Sequence, residues 1–179
     1  MTDADKAGVA YLSLPADGQE VRGLLRGDSS RHALEAEVID PGKFADMHSL
    51  GWPGLYALSS RMASTLERFA GVVLRPLKIN VGPNDYVLLG VTGRCGPVDY
   101  RKSVRVGQMG KFVLLRGLHV GEMEGTVDFA VPPNLETIVV TSKVHHVLGS
   151  AHLDNVQLRS LKDQEFHVPE EDVTAQTDR

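Results

Sequence analysis

The feature that most limits what this chain can fold into is a stretch that occurs twice. Residues 59–79, SSRMASTLERFAGVVLRPLKI, pass from a hydroxyl pair and a basic residue through a helical run to an alternating apolar segment, and residues 141–161, TSKVHHVLGSAHLDNVQLRSL, do the same. Setting Ser60 on Ser142 matches Arg61 with Lys143, Met62 with Val144 and Leu66 with Leu148. A two-residue insertion near the helix end then matches Val72, Leu74, Arg75 and Leu77 with Val156, Leu158, Arg159 and Leu161. Met62, Leu66 and Phe69 share one face of the first helix, and Val144, Val147, Leu148 and Ala151 share one face of the second. Ser59 or Ser60 is placed to cap the first helix. Each copy follows a short extended run, YAL or IVV. Any fold must therefore accommodate two strand-helix-strand units of one plan.

The segments between the copies read as strands. DYVLLGVTGRCGPVDY is a buried strand that turns through glycines, GKFVLLRGLHV is another, and TVDFAVPPNLETIVV gives two short strands around a proline turn. The expected class is α+β: a mixed or mainly antiparallel sheet with two short helices in pseudo-repeated strand-helix-strand units. One domain over 1–168 is expected, with a loop-rich amino-terminal part (1–55) and a repeat-bearing core (56–162). In the first part VAYLSL, VRGLL and ALEAEVI are extended candidates between turns such as PADG, RGDSSR and DPGKFADMHSLGWPG. Residues 169–179, rich in charge and poor in apolar groups, are expected to form a disordered tail.

Composition narrows the function classes. A formal charge of −4 on 179 residues argues against a protein that coats nucleic acid. The amino terminus lacks the basic patch and apolar run of a secretory signal, and no segment approaches the roughly 20 apolar residues of a membrane span. A cytoplasmic protein without a membrane partner is expected. The single cysteine, Cys95, forms no internal disulfide and excludes a zinc site built from several cysteines.

Candidate chemistry is sparse. His145 and His146 are adjacent, so on a helix they point about 100 degrees apart and miss the shared face that one metal ion needs. His152 lies two turns beyond His145, about 10 Å by helix rise. No metal or cofactor is expected. Cys95 would be a nucleophile only if His119 met it and Asp99 oriented that histidine, and nothing local forces the meeting. Gly90, Gly93 and Gly96 precede no helix, so they serve a bulge or tight turn rather than a phosphate cradle. Glu122 and Glu124 are close in sequence, and read as solvated charges rather than an acid and base pair. Trp52, the only tryptophan, sits in a turn-rich segment at the core edge. The helix starts carrying Ser60 with Arg61 and Ser142 with Lys143 define a second reading, in which each holds an anion or the phosphate of a nucleotide. No catalytic set emerges, and a non-enzyme is expected.

The order of elements, with LSSRM, VVLRPLKI, DYVLLGVTGRCGPVDYRKS, FVLLRGLHV and IVVTSKVHHVL in succession, resembles a family of bacterial immunity proteins of polymorphic toxin systems, the immunity family eleven type. The resemblance covers roughly residues 50–162. Ser59, Arg61, Pro76, Asp99, Ser103, Thr141 and Lys143 occupy its motif positions, whereas Ser60 and Ser142 stand where the family usually shows glutamate, as in a diverged member. The resemblance implies a small cytoplasmic protein, encoded beside a toxin, that binds and occludes the toxin and uses no catalytic residue. Arg94, Asp99 and Arg101 of the central turn region, with Glu122 and Glu124 of the following loop, are the expected partner-binding residues, because tight inhibitor complexes combine a desolvated centre with complementary charge.

Overall fold

The computed structural model describes residues 8–25, 34–52, 54–135 and 137–177. The turn expected at RGDSSR lies outside the described residues. In chain order the elements are β1 (Tyr11–Ser13), α1 (Gly18–Leu25), β2 (Leu34–Asp40), β3 (Met47–Ser49), β4 (Tyr56–Ser59), α2 (Ser60–Leu66), β5 (Val72–Ile79) and β6 (Tyr86–Val91). A 3-10 turn (Tyr100–Lys102) follows, then β7 (Val104–Met109), β8 (Phe112–Arg116), β9 (Phe129–Ala130), β10 (Val139–Val140), α3 (Ser142–Ser150), β11 (Glu165–Pro169) and α4 (Glu170–Thr177).

Six strands form one sheet in the order β1-β2-β5-β6-β4-β3, with β2 and β5 parallel and the other pairs antiparallel. The class is thus α+β with a mixed sheet, as expected. Strand alternation sends side chains to two cores. Ala57, Leu77, Ile79 and Leu88 join α1's Val21 and Leu24 in one. Tyr56, Leu58, Leu89 and Val91 join Met62 and Leu66 of α2, and Val144 and Leu148 of α3, in the other. Both repeated helices therefore pack into the same core. Trp52 packs, partly buried, at the edge of the first.

Three expectations are corrected. VRGLL is helical, as the second half of α1: Asp17 Oδ1 accepts from the amides of Gln19 (2.9 Å) and Glu20 (2.8 Å), and Val21, Leu24 and Leu25 bury at helical spacing. VQLRSL forms no ladder strand, although Val156 and Leu158 still pack on the second core. The next strand in the chain is β11, which lies against β8 in a separate sheet, β11-β8-β7. Most of the expected tail is helix α4, held because the Gln176 side chain accepts from Tyr100 N (2.9 Å) and donates to Val98 O (2.8 Å). Among the described residues, no helix is long and apolar enough to cross a membrane.

Candidate functional site

The two repeat units are bound to each other through a pair of aspartates. An offset of 82 positions carries β3–β4 onto β9–β10: Met47↔Leu58 becomes Phe129↔Val140, and His48↔Ala57 becomes Ala130↔Val139. Asp46 and Asp128 precede these hairpins at equivalent positions. Asp46 Oδ1 accepts from Ser59 Oγ (2.6 Å) and Arg61 Nε (3.1 Å), and Oδ2 pairs with the Arg61 guanidinium. Asp128 Oδ1 accepts from Thr141 Oγ1 (3.1 Å), and Oδ2 accepts from Lys143 Nζ (3.1 Å). Each aspartate also accepts a backbone amide from beyond the other unit's helix: Asp154 N to Asp46 Oδ2 at 2.8 Å, and Ala70 N to Asp128 Oδ2 at 3.2 Å. Contacts that cross reciprocally in this way are those a twofold axis produces. Here they join two halves of one chain.

Both aspartates are nearly buried while their cationic partners are mostly exposed. Burial would push the Asp46 carboxyl up, but hydrogen bonds from Arg61, Ser59 and the Asp154 amide, with the guanidinium charge, carry it below its ordinary value. Asp128 shows the same balance, with burial opposed and outweighed by Lys143, the Ala70 amide and Thr141. Sequence reasoning missed both aspartates. The available signal was an aspartate 13 residues before each hydroxyl and 15 before each cation.

These partners account for the anion-binding candidates. Arg61 and Lys143 face internal carboxylates. Ser59, not Ser60, caps α2 by accepting from Met62 N at 3.2 Å, and the Ser60 hydroxyl donates to Asp85 at 3.1 Å. Thr141 spends its hydroxyl on Asp128, and Ser142 is exposed at the start of α3.

The expected partner-binding residues fall on one irregular antiparallel ribbon, in which 94–99 run against 119–124 through the bridges Cys95↔Met123 and Val98↔Val120. Arg94, Glu122 and Glu124 gather at one end: Glu124 N donates to Arg94 O (2.9 Å) and Gly96 N to Glu122 O (3.0 Å). Asp99 and Arg101 lie at the other end, about five residues or 16 Å along. There Asp99 caps the 3-10 turn and pairs with Arg101 (3.0 Å) and Lys102 (3.4 Å). The Arg101 hydrogen bond is the main reason its carboxyl is held down at about 2. Cys95 is buried, and burial followed by the charge of Glu124 pushes its thiol up, opposite to what a nucleophile needs. The cleft beside it, about 540 Å³, is lined by Arg94 and Glu124 but by no histidine among the described residues. Gly93 and Gly71 both lie against the Phe129 carbonyl, which leaves no room for a side chain. His145 and His146 are exposed on α3, and among the described residues no group of three His, Cys, Asp or Glu is arranged for a metal ion.

Exposed large apolar side chains cluster on the β7–β8 hairpin of the β11-β8-β7 sheet. Cross-strand partners share a face. Arg105, Leu115 and Phe166, with Gln108, Val113 and Val168, form the side that covers a small core with Val98, Tyr100 and Leu118. The opposite side carries Val104, Met109, Phe112, Leu114, His167 and Pro169. Val104 and Met109 are each 63% exposed and Phe112 44%. The bulge residue Val106 adds a fourth large apolar group to the same hairpin. At one end of this side Phe112 and Pro169 border a cleft with Glu171, Thr174 and Ala175 of α4. Neither β7 nor β11 was read from the sequence, so this face was not foreseen. No family model matches the sequence, and no curated protein matches it.

Proposed function

We propose that this protein is an immunity protein, a stoichiometric inhibitor that binds a cognate bacterial toxin domain in the cytoplasm and blocks it by occlusion. The observation that carries this reading is the bare face of β7 and β8. Soluble proteins rarely leave large apolar side chains clustered in the open, and such clusters mark partner surfaces. Arg116 with Glu165, which share this face with Val104, and the exposed Lys111 of the β7–β8 turn supply charge at the edge of the desolvated centre of such an interface. Arg94, Glu122 and Glu124 lie at the other end of the ribbon and form a separate point of the proposed contact. The order of elements that resembles immunity proteins supplies the kind of partner.

The test is co-expression with the product of the neighbouring gene. A complex should co-purify and growth arrest by that product should be relieved. The exposed pair Met109→Asp and Phe112→Asp should abolish both while leaving the melting temperature within a few degrees, because neither side chain is in a core. No complex with the wild-type chain, or a complex indifferent to the double substitution, refutes the reading.

A further inference from the structure

One pair of opposite charges takes no part in the internal pairing seen elsewhere in the chain. Arg61, Arg101, Arg105, Arg116 and Lys143 each meet a carboxylate. Arg94 and Glu124 do not meet, although their main chains are joined by the 2.9 Å bond from Glu124 N to Arg94 O. Among the described residues neither side chain has a hydrogen-bond or ion-pair partner. Opposite charges that spring from adjacent main-chain positions and stay apart leave room for a third body between them.

Both residues line the cleft of about 540 Å³ beside Cys95. Val91 and Cys95 are buried at its floor, Val131 is half-buried, and Pro133 is exposed at the rim. The walls are set in advance. The parallel bridge Arg94↔Val131 ties them together, two prolines stiffen the run Val131-Pro132-Pro133, and Gly93 lies against the Phe129 carbonyl. Burial, and after it the Glu124 charge, push the Cys95 thiol up, so the Glu124 carboxylate acts toward the floor. A pre-formed cleft of roughly 300–1,000 Å³ with apolar walls and a few convergent polar groups is the usual form of a small-molecule site.

We infer that this cleft binds a free α-amino acid with an apolar side chain. The ligand carboxylate pairs with the Arg94 guanidinium, its ammonium pairs with Glu124, and its side chain packs on Val91, Val131 and Cys95. The exposed Thr92 hydroxyl, a lining group that also lacks a partner among the described residues, is a further donor to the carboxylate. A simple anion would face Glu124 and a simple cation would face Arg94, so each meets repulsion that a zwitterion avoids. An uncharged ligand would strip water from both charges without replacing it. The inference does not rest on the toxin reading, although Arg94 and Glu124 belong to that proposed contact as well.

Calorimetric titration of the full chain with leucine, methionine, phenylalanine and the other standard amino acids, one at a time, tests it. Apolar members should bind. Their N-acetyl and amide derivatives should bind at least about tenfold more weakly, since each loses a hydrogen bond between charged groups. Arg94→Gln should weaken the amino acid by a similar factor and cost nothing further with the amide, which has no carboxylate to lose. Glu124→Gln should stand in the same relation to the N-acetyl form. Both side chains are exposed, so both variants should keep the wild-type melting temperature within a few degrees. In NMR spectra of the wild-type chain the ligand should shift the backbone amides of Thr92, Gly93 and Glu124. No heat with any amino acid at millimolar concentration, variants that weaken every form of the ligand equally, or shifts confined to other residues would overturn the inference. The titration contains no toxin, so its failure and the failure of the immunity reading are separate results.

Discussion

At Asp46, four donors converge on one nearly buried carboxylate, and one of them comes from 108 residues away. Replacing the carboxylate by an amide removes its charge and leaves donors facing a donor. We therefore expect Asp46→Asn and Asp128→Asn each to lower stability by about 1–3 kcal/mol, measured by urea unfolding. The pH dependence follows from the sign of the shift. Both carboxyls titrate lower in the folded chain than in the unfolded one, so their contribution is complete above the unfolded value near 3.8 and is lost as pH falls through the folded value. The gap between wild type and either variant should shrink from pH 6 to pH 3; a gap that stays constant refutes the assignment. Ser103 makes the opposite case. Its buried hydroxyl has no hydrogen-bond partner among the described residues, so Ser103→Ala should be neutral or stabilising by up to about 1 kcal/mol.

Five residues beyond each repeated helix stands a residue with positive φ: Gly71 at +92° after α2 and Asn155 at +60° after α3. The two solve one steric problem differently. A Cβ on Gly71 would lie 2.5 Å from the Phe129 carbonyl, while Asn155 donates its side-chain amide to the equivalent Met47 carbonyl at 2.8 Å. Gly71→Ala combines backbone strain with that clash and should cost about 1–3 kcal/mol in chemical denaturation. A cost near zero would mean that the turn is not held as described. The same elements show what was legible in the sequence. The two helix starts, β5 and the β9–β10 pair were readable because their apolar spacing repeats and their caps are local, whereas β3 lies within DPGKFADMHSLGWPG, which was expected to be a turn. The bare face was not readable, because VRVGQM is broken by glycine and β11, which pairs with the other edge of β8, lies some fifty residues beyond β8. Asp46 and Asp128 were also hidden, since their meaning lies in amides from the opposite unit. VQLRSL was misread because its apolar pattern matches β5, whereas strand pairing depends on a neighbour such as β6 that the second unit lacks.

The whole molecule is a chain whose halves complete each other. Asp128 belongs to the second unit, yet it holds Ala70 at the end of the first unit's helix, and Phe129 packs on Phe69 with ring centres 6.1 Å apart. Met62 and Leu66 share one core with Val144 and Leu148, so neither repeated helix can leave without opening the other's packing. Such coupling predicts one cooperative unfolding transition for the two units. Trp52 lies in the first unit, at the edge of the other core, and is the sole tryptophan. Its fluorescence therefore reports on a region remote in sequence from Asp128. Asp128→Asn should lower the urea midpoint seen by Trp52 by as much as the midpoint seen by far-ultraviolet circular dichroism, and by an amount comparable to Asp46→Asn. If the Trp52 transition stayed at its wild-type position while the dichroism transition moved or split, the units would be energetically separate. The reciprocal contacts would then be incidental to folding rather than the bond between the two halves.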